Sequence, residues 1–268
     1  MPDIQAYSHT KTSRKISELV TAAGLEGRRF VDVGAGEGYL AQMLGEELKR
    51  RGVEPADALR ACDLHPENFK YGDVPCDPID ANGTLPYDDD SFDVVTCIEV
   101  VEHVENHFHL VRELGRIVRP GGRVLVTTPN VLNINSRLRF LHSGFGLLFS
   151  ALPLGVDRPV HSSGHIHPVS YYYLAHGFHR SGFGQVGVHF DRYKKSGIAL
   201  AVLLWLPVQI GNALFRMRLR RKKPDIYEEN RELLRAINSF GMLTARTIIV
   251  EGVKASGGAD QERASASS

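Results

Sequence analysis

Cysteine is scarce in this chain. The three thiols among 268 residues, Cys62, Cys76 and Cys97, lack metal-site spacing and are too few for a disulfide framework. Each falls in or beside an expected strand, so buried, reduced thiols and a cytoplasmic setting are expected. An excess of one charge is also missing: 32 Lys and Arg face 31 Asp and Glu, a formal net charge of +1. That excludes the molecule-wide basic field used on nucleic acid. Residues 1–20 are polar and lack the apolar core of a signal peptide. No internal repeat is visible. Hydrophobic content of 43% and charged content of 24% are those of a globular protein. The length suits one α/β domain with insertions, expected over residues 1–254. The tail 255–268, rich in Ala, Ser and Gly, is expected to be disordered.

What is present is a strand that runs into glycines. Phe30-Val31-Asp32-Val33-Gly34-Ala35-Gly36-Glu37-Gly38-Tyr39-Leu40 begins apolar, passes an acid and turns helical, with Leu40, Met43, Leu44 and Leu48 on one face. The dinucleotide fingerprint G-x-G-x-x-G would need glycine at position 39, where Tyr39 stands. No lysine and hydroxyl residue follow as a P-loop requires. A turn with little positive charge beside Asp32 suits a cationic, phosphate-free ligand.

Further strands are expected at 58–63, 92–98, 123–128, 185–191 and 246–251, and helices at 11–23, 37–51, 104–118 and 169–181. Residues 66–90 read as irregular and Pro120-Gly121-Gly122 as a turn. Strands alternating with helices argue for a doubly wound parallel sheet.

Asp32-Val33-Gly34-Ala35-Gly36-Glu37-Gly38 resembles the first motif of the class I S-adenosylmethionine (SAM)-dependent methyltransferases. Leu85-Pro86-Tyr87-Asp88-Asp89-Asp90-Ser91-Phe92-Asp93-Val94-Val95, Arg119-Pro120-Gly121-Gly122-Arg123 and Thr128-Pro129-Asn130 follow in that class's order, so the resemblance covers about residues 28–190. It implies a Rossmann-like, mostly parallel seven-stranded sheet with SAM beyond the carboxyl ends of the strands. Asp32, Gly34 and Gly36 would serve the methionine end, and Asp63 the ribose hydroxyls. Asp80 would meet the adenine amino group, with Asp77 the competing choice, and Ile98 completes the set. The plain alternatives are a helix-capping role for Asp63 and a solvated loop acid for Asp80.

Ile98-Glu99-Val100-Val101-Glu102-His103-Val104 places three ligand types within five residues at a strand end. Two carboxylates and an imidazole suit Mg²⁺, Mn²⁺ or Fe²⁺. The pattern is similar to that of ubiquinone-biosynthesis O-methyltransferases and of small-RNA terminal 2′-O-methyltransferases. In the latter, E-x-x-E-H and one later histidine hold a divalent metal. The resemblance implies Glu99, Glu102, His103 and His165 as ligands, and register favours His165 over His167 in Gly164-His165-Ile166-His167-Pro168. Without a metal, His103 is the best general base and His165 the second.

Residues 131–164 read as a substrate lid, with Leu138, Phe140, Leu141, Phe145, Leu147, Leu148, Phe149 and Leu152 pointing to an apolar acceptor. A second insertion before the last strand, 194–240, is expected to be helical and carries the apolar run 197–215 and then Arg216, Arg218, Arg220, Arg221, Lys222 and Lys223. Pro207, Gln209 and Asn212 make the run a poor spanning helix. Contact of 197–223 with the inner membrane surface is expected; the alternatives are a buried helix on the sheet, a dimer interface or nucleic-acid binding. The expected activity is O-methylation of a small, lipid-like, quinone-like or lipid-linked sugar acceptor, by a cytoplasmic enzyme peripheral to the membrane's inner face. Alternatives are a non-catalytic SAM-binding membrane-peripheral regulator and an RNA 2′-O-methyltransferase, the latter disfavoured by charge. An NAD-dependent oxidoreductase is opposed by Tyr39.

Overall fold

The computed structural model describes residues 4–6, 8–80, 82–153 and 164–256. The last twelve residues of the expected tail, and 154–163 of the expected lid, lie outside the described residues. In chain order the elements begin with α1 (Thr10–Ala22), β1 (Phe30–Val33), α2 (Tyr39–Arg50), α3 (Pro55–Ala58), β2 (Leu59–Asp63) and β3 (Cys76–Pro78). Then come β4 (Phe92–Ile98), α4 (His107–Ile117), β5 (Val118–Pro129), α5 (Ile134–Ser143), α6 (Tyr171–Arg180) and β6 (Phe183–Phe190). The chain continues through α7 (Lys195–Lys222), α8 (Pro224–Glu229), α9 (Arg231–Ala236), α10 (Phe240–Thr244) and β7 (Thr247–Lys254).

The seven strands form one sheet in the order β3-β2-β1-β4-β5-β7-β6, with only β7 antiparallel to its neighbours. This is the mostly parallel, doubly wound sheet the sequence predicts. Alternation along the strands sorts the core into two layers. Val31, Val33, Val95 and Cys97 meet Leu110, Val111 and Leu114 of α4 and Leu174 and Phe178 of α6 on one side. Phe30 and Val94 meet Ile16 and Val20 of α1 and Leu40, Leu44 and Leu48 of α2 on the other.

Several boundaries differ from the sequence reading. Residues 66–90 are not wholly irregular, because Cys76–Pro78 pairs with β2 as an edge strand. Strand β5 starts at Val118, upstream of the Pro120-Gly121-Gly122 turn. The turn survives as a register shift between Phe92↔Val118 and Val94↔Arg123, with Gly121 at φ +75°. Helix α4 starts at His107, because Asn106 caps it by accepting from the His109 N–H. Glu99, Glu102 and His103 therefore sit on the preceding turn, outside the helix.

The apolar run forms a helical insertion before the last strand, as the sequence predicts. It is one unbroken 28-residue helix, and of its residues only Gly197 and Ala201 are buried. Pro207 removes one backbone donor, but it lies exposed, and the helix continues through it. The helix is long and apolar enough to cross a membrane by length and composition, with a mean hydropathy of 1.9 in its richest window. The buried-helix alternative fails: α7 rests on α5 and α10 through Ala201, Leu200, Leu204 and Val208 against Ile134, Leu138 and Leu243, and not on the sheet.

Candidate active site

The glycine turn after β1 forms a narrow cleft. Gly34 and Gly38 take φ of +75° and +92°, which side chains rarely adopt. A β-carbon on Gly34 would stand 2.3 Å from Val100 Cγ2, and one on Gly38 2.7 Å from the Phe69 ring. Glycine is thus required by crowding as well as by torsion. Asp32, Gly34, Gly36 and Ile98 all line this cleft. Asp32 is buried and accepts a 2.7 Å bond from the Thr96 hydroxyl. Burial, with help from the nearby Asp63 charge, pushes its carboxyl up to about 7.

Asp63 stands at the end of β2 and binds the turn itself. One oxygen accepts from the Gly36 N–H and the other from the His65 N–H, both at 2.8 Å. Each oxygen keeps a lone pair for a ligand hydroxyl. Asp80 lies exposed past the end of β3 and accepts from the Asn82 N–H, whereas Asp77 accepts from the Tyr87 hydroxyl at 2.9 Å. Asp80 is therefore the freer of the two. Arg116 braces the loop before β4 by donating to the carbonyls of Leu85 and Tyr87.

Beyond the cleft lies a compact cluster. Ligand atoms of Glu102, His103 and His165 all lie within 4.8 Å of one another. The segment 164–168 is stitched to the Glu102 turn, since the Ile166 and His167 N–H groups both donate to Glu102 O. The His103 and His165 rings meet edge to face at 4.9 Å. His103 Nδ1 bonds Gly164 O at 3.0 Å and His165 Nδ1 bonds Leu148 O at 3.1 Å. Each carbonyl fixes the proton on Nδ1 and leaves Nε2 as the acceptor. Burial and the nearby His103 hold His165 below its ordinary value, favouring the neutral ring.

Glu102 is fully buried, and neither carboxyl oxygen makes a well-formed hydrogen bond, although the Thr128 hydroxyl acts on it. Burial, and then the charge of Glu99, raises its carboxyl well above the ordinary range. A buried carboxyl beside two imidazole acceptors has the composition of a divalent cation site. Glu99 is not among the three. It takes φ +54° and bonds Thr127 through its N–H, while burial raises its carboxyl to about 7. Asp191, Arg192 and Arg246 are the charged groups acting on it. His167 also stands apart, bonded to Val104 O at 2.8 Å and facing His107.

Next to His165 opens a largely apolar cavity of about 550 Å³ beneath α5. Leu132, Phe140, Phe145, Phe149 and Leu152 line it, with Arg137 as the cationic member. Arg137 is spent on Leu132 O, Ile237 O and Asn238 Oδ1, so the wall offers little polarity.

A family model described as a methyltransferase domain matches residues 5–186. The chain belongs to this methyltransferase family. It is a SAM-dependent methyltransferase. The ubiquinone biosynthesis O-methyltransferase of Alkalilimnicola ehrlichii is 38% identical over 138 residues, covering 49% of this chain and 53% of that protein. The protein of the same name from Cupriavidus pinatubonensis is 37% identical over 110 residues, covering 40% and 44%. The chain thus spans about half the length of these curated relatives. A SAM-dependent methyltransferase from Archaeoglobus fulgidus superposes with a TM-score of 0.53 at 15% identity, covering 91% of this chain and 95% of that one.

Some of the methyltransferase's cleft was silent in the sequence. Gln5, Ala6, Ser8 and Ser13 lie across it, held there by the Gln5 N–H donating to Glu37, which also pairs with Lys70 at 2.7 Å. That polar segment carries no periodicity to betray it. Arg246 was legible in principle. It immediately precedes the one reversed strand, which places it at the carboxyl edge of the others.

Proposed function

We propose that this methyltransferase moves the SAM methyl group to an oxygen of a small apolar acceptor, lipid-like or quinone-like, held in the cavity beneath α5. The observation that carries this reading is the position of His165, which belongs both to the cavity wall and to the Glu102–His103–His165 cluster. Transfer is an in-line displacement: the oxygen–carbon bond forms, the sulfur–carbon bond breaks, and the sulfonium becomes a neutral thioether. The acceptor hydroxyl must lose its proton, and the Nε2 of His103 or His165 can take it. The cavity positions the acceptor and excludes water. Oxygen as the acceptor atom is supported by the relatives' names, ubiquinone biosynthesis O-methyltransferase.

A divalent metal fits the same cluster. Glu102, His103 and His165 would hold it, with Glu99 outside the set, and when bound it would lower the pKa of an acceptor hydroxyl. Asp32, Gly34, Gly36 and Ile98 would hold the methionine end of SAM, Asp63 the ribose and Asp80 the adenine. The setting that fits this acceptor is cytoplasmic, at the inner face of the membrane.

The test is transfer of labelled methyl from SAM into a membrane extract, with organic and aqueous products separated. Label in the organic phase is expected. His103→Ala should lose about 10²-fold or more in rate while still binding S-adenosylhomocysteine. EDTA should lower incorporation if the metal acts. Label confined to the aqueous phase would end the lipid-like reading.

A further inference from the structure

We infer that α7 and the outer edge of α5 form one docking face for an anionic bilayer surface, and that the cavity beneath α5 opens onto that face. Acceptor would then enter from the lipid and not from bulk water. The second half of this inference rests on the acceptor reading of the cavity; the docking itself does not.

Four observations converge. First, α7 leaves a large apolar surface uncovered: Leu203 is 74% exposed, Leu206 68% and Val202 65%, with Ile210, Leu214 and Phe215 also exposed. Patches of this extent on a soluble chain mark an interaction surface. Second, residues 194–223 contain no acidic residue, while Arg216 to Lys223 supply six cations. None of the six forms an ion pair among the described residues. Leu214, Met217, Arg218, Arg221 and Lys222 border a groove of about 410 Å³ in which apolar and cationic groups alternate. An apolar stretch followed by a polybasic end matches an acyl layer beneath anionic headgroups.

Third, the face continues onto α5. Ile134 and Leu138 pack against α7. Leu141 follows Leu138 by three residues and Ile134 by seven, so it shares their side of the helix. It is 82% exposed. Its neighbour Phe140 is 63% exposed and also lines the cavity, so the cavity's rim and the apolar face meet at these two residues. Fourth, α7 is anchored along its length: Gln209 donates to Asn238 O, and Arg216 donates to the Tyr227 hydroxyl. A helix so held fits lying along a surface better than leaving the body to span it.

The chain has one tryptophan, Trp205, and it sits on α7, which supplies an internal probe. The full chain is mixed with phosphatidylcholine vesicles, with and without phosphatidylglycerol, some carrying brominated acyl chains. Flotation with the anionic vesicles and quenching of Trp205 by brominated lipid are expected. Leu203→Glu with Leu206→Glu, and Arg218→Glu with Arg221→Glu, should each weaken vesicle binding about 10-fold or more. Unchanged S-adenosylhomocysteine binding shows that these variants fold. In a Trp205→Phe background, Leu141→Trp should also be quenched, which tests the shared rim. Unquenched Trp205, or binding indifferent to both pairs of substitutions, would overturn the docking face. So would a stable dimer that shields Trp205 and ignores vesicles. Quenching at Trp205 without quenching after Leu141→Trp would overturn the access route alone. None of these readouts depends on which acceptor is methylated.

Discussion

Gly34 shows how little freedom the cofactor turn allows. Its φ of +75° and the 2.3 Å approach of Val100 Cγ2 to a β-carbon mean that Gly34→Ala must displace the loop that carries Glu99 and Glu102. S-adenosylhomocysteine affinity should fall about 10-fold or more, with a stability loss of about 1–3 kcal/mol. Calorimetric titration and thermal melting measure the two effects. Asp32 makes a pH-dependent prediction. In the folded protein its carboxyl keeps its proton up to about 7, whereas the ordinary value is 3.8. The folded state therefore binds the proton more tightly than the unfolded chain, and this group's contribution to stability falls as pH rises from about 4 to about 7. Asp32→Asn should remove that slope, read as the difference between the two melting curves across pH. Cationic SAM restores the charged form, so SAM binding to the wild type should release protons below pH 7, and binding to Asp32→Asn should release fewer.

Among the elements, β7 is tightly constrained. A β-carbon on Gly252 would stand 2.5 Å from Phe178 and 2.7 Å from Phe183, whose rings meet edge to face under α6. Gly252→Ala should destabilise the protein by about 1–3 kcal/mol with little effect on cofactor affinity, as overpacking of a core does. A chemical-denaturation midpoint checks it. Strands such as β1 and β4 were legible because they are buried on both faces and read as unbroken apolar runs ending at an acid or a turn. The edge strand Cys76–Pro78 was not, since three residues flanked by Pro75 and ended by Pro78 show no period. Helix α7 was legible as an apolar helical insertion, but its unbroken course was not: an exposed proline removes one donor without stopping a helix that α5 and α10 support. The residue types of the Glu102–His103–His165 cluster were visible. The separation of Glu99 from it was not, because that depends on a left-handed backbone at one non-glycine residue.

At the scale of the whole molecule, cofactor and metal should act through mass action. S-adenosylhomocysteine at a hundredfold excess over its dissociation constant should add about 2.7 kcal/mol to stability. If the cluster holds a divalent cation, Mn²⁺ should raise the melting temperature of the wild type and leave Glu102→Gln unmoved. Metal-free Glu102→Gln should be no less stable than the wild type, since burial drives the Glu102 carboxyl toward its neutral form, which the neutral amide replaces. Differential scanning fluorimetry separates these outcomes. The molecule's largest excursion leaves and rejoins the sheet at one place. Tyr193 and Ala245 form an antiparallel bridge, Lys194 N–H donates to Thr244 O, and Arg246 N–H donates to Arg192 O. The stretch between β6 and β7 is closed at its stem, yet it is built into the body: Leu233 and Met242 join the main core, and Asn130 Nδ2 donates to Met242 O. Cutting the stretch out at that stem would strip two side chains from the core and leave Arg137 of the cavity wall without Ile237 O and Asn238 Oδ1, so what places the molecule and what shapes its cavity are inherited together.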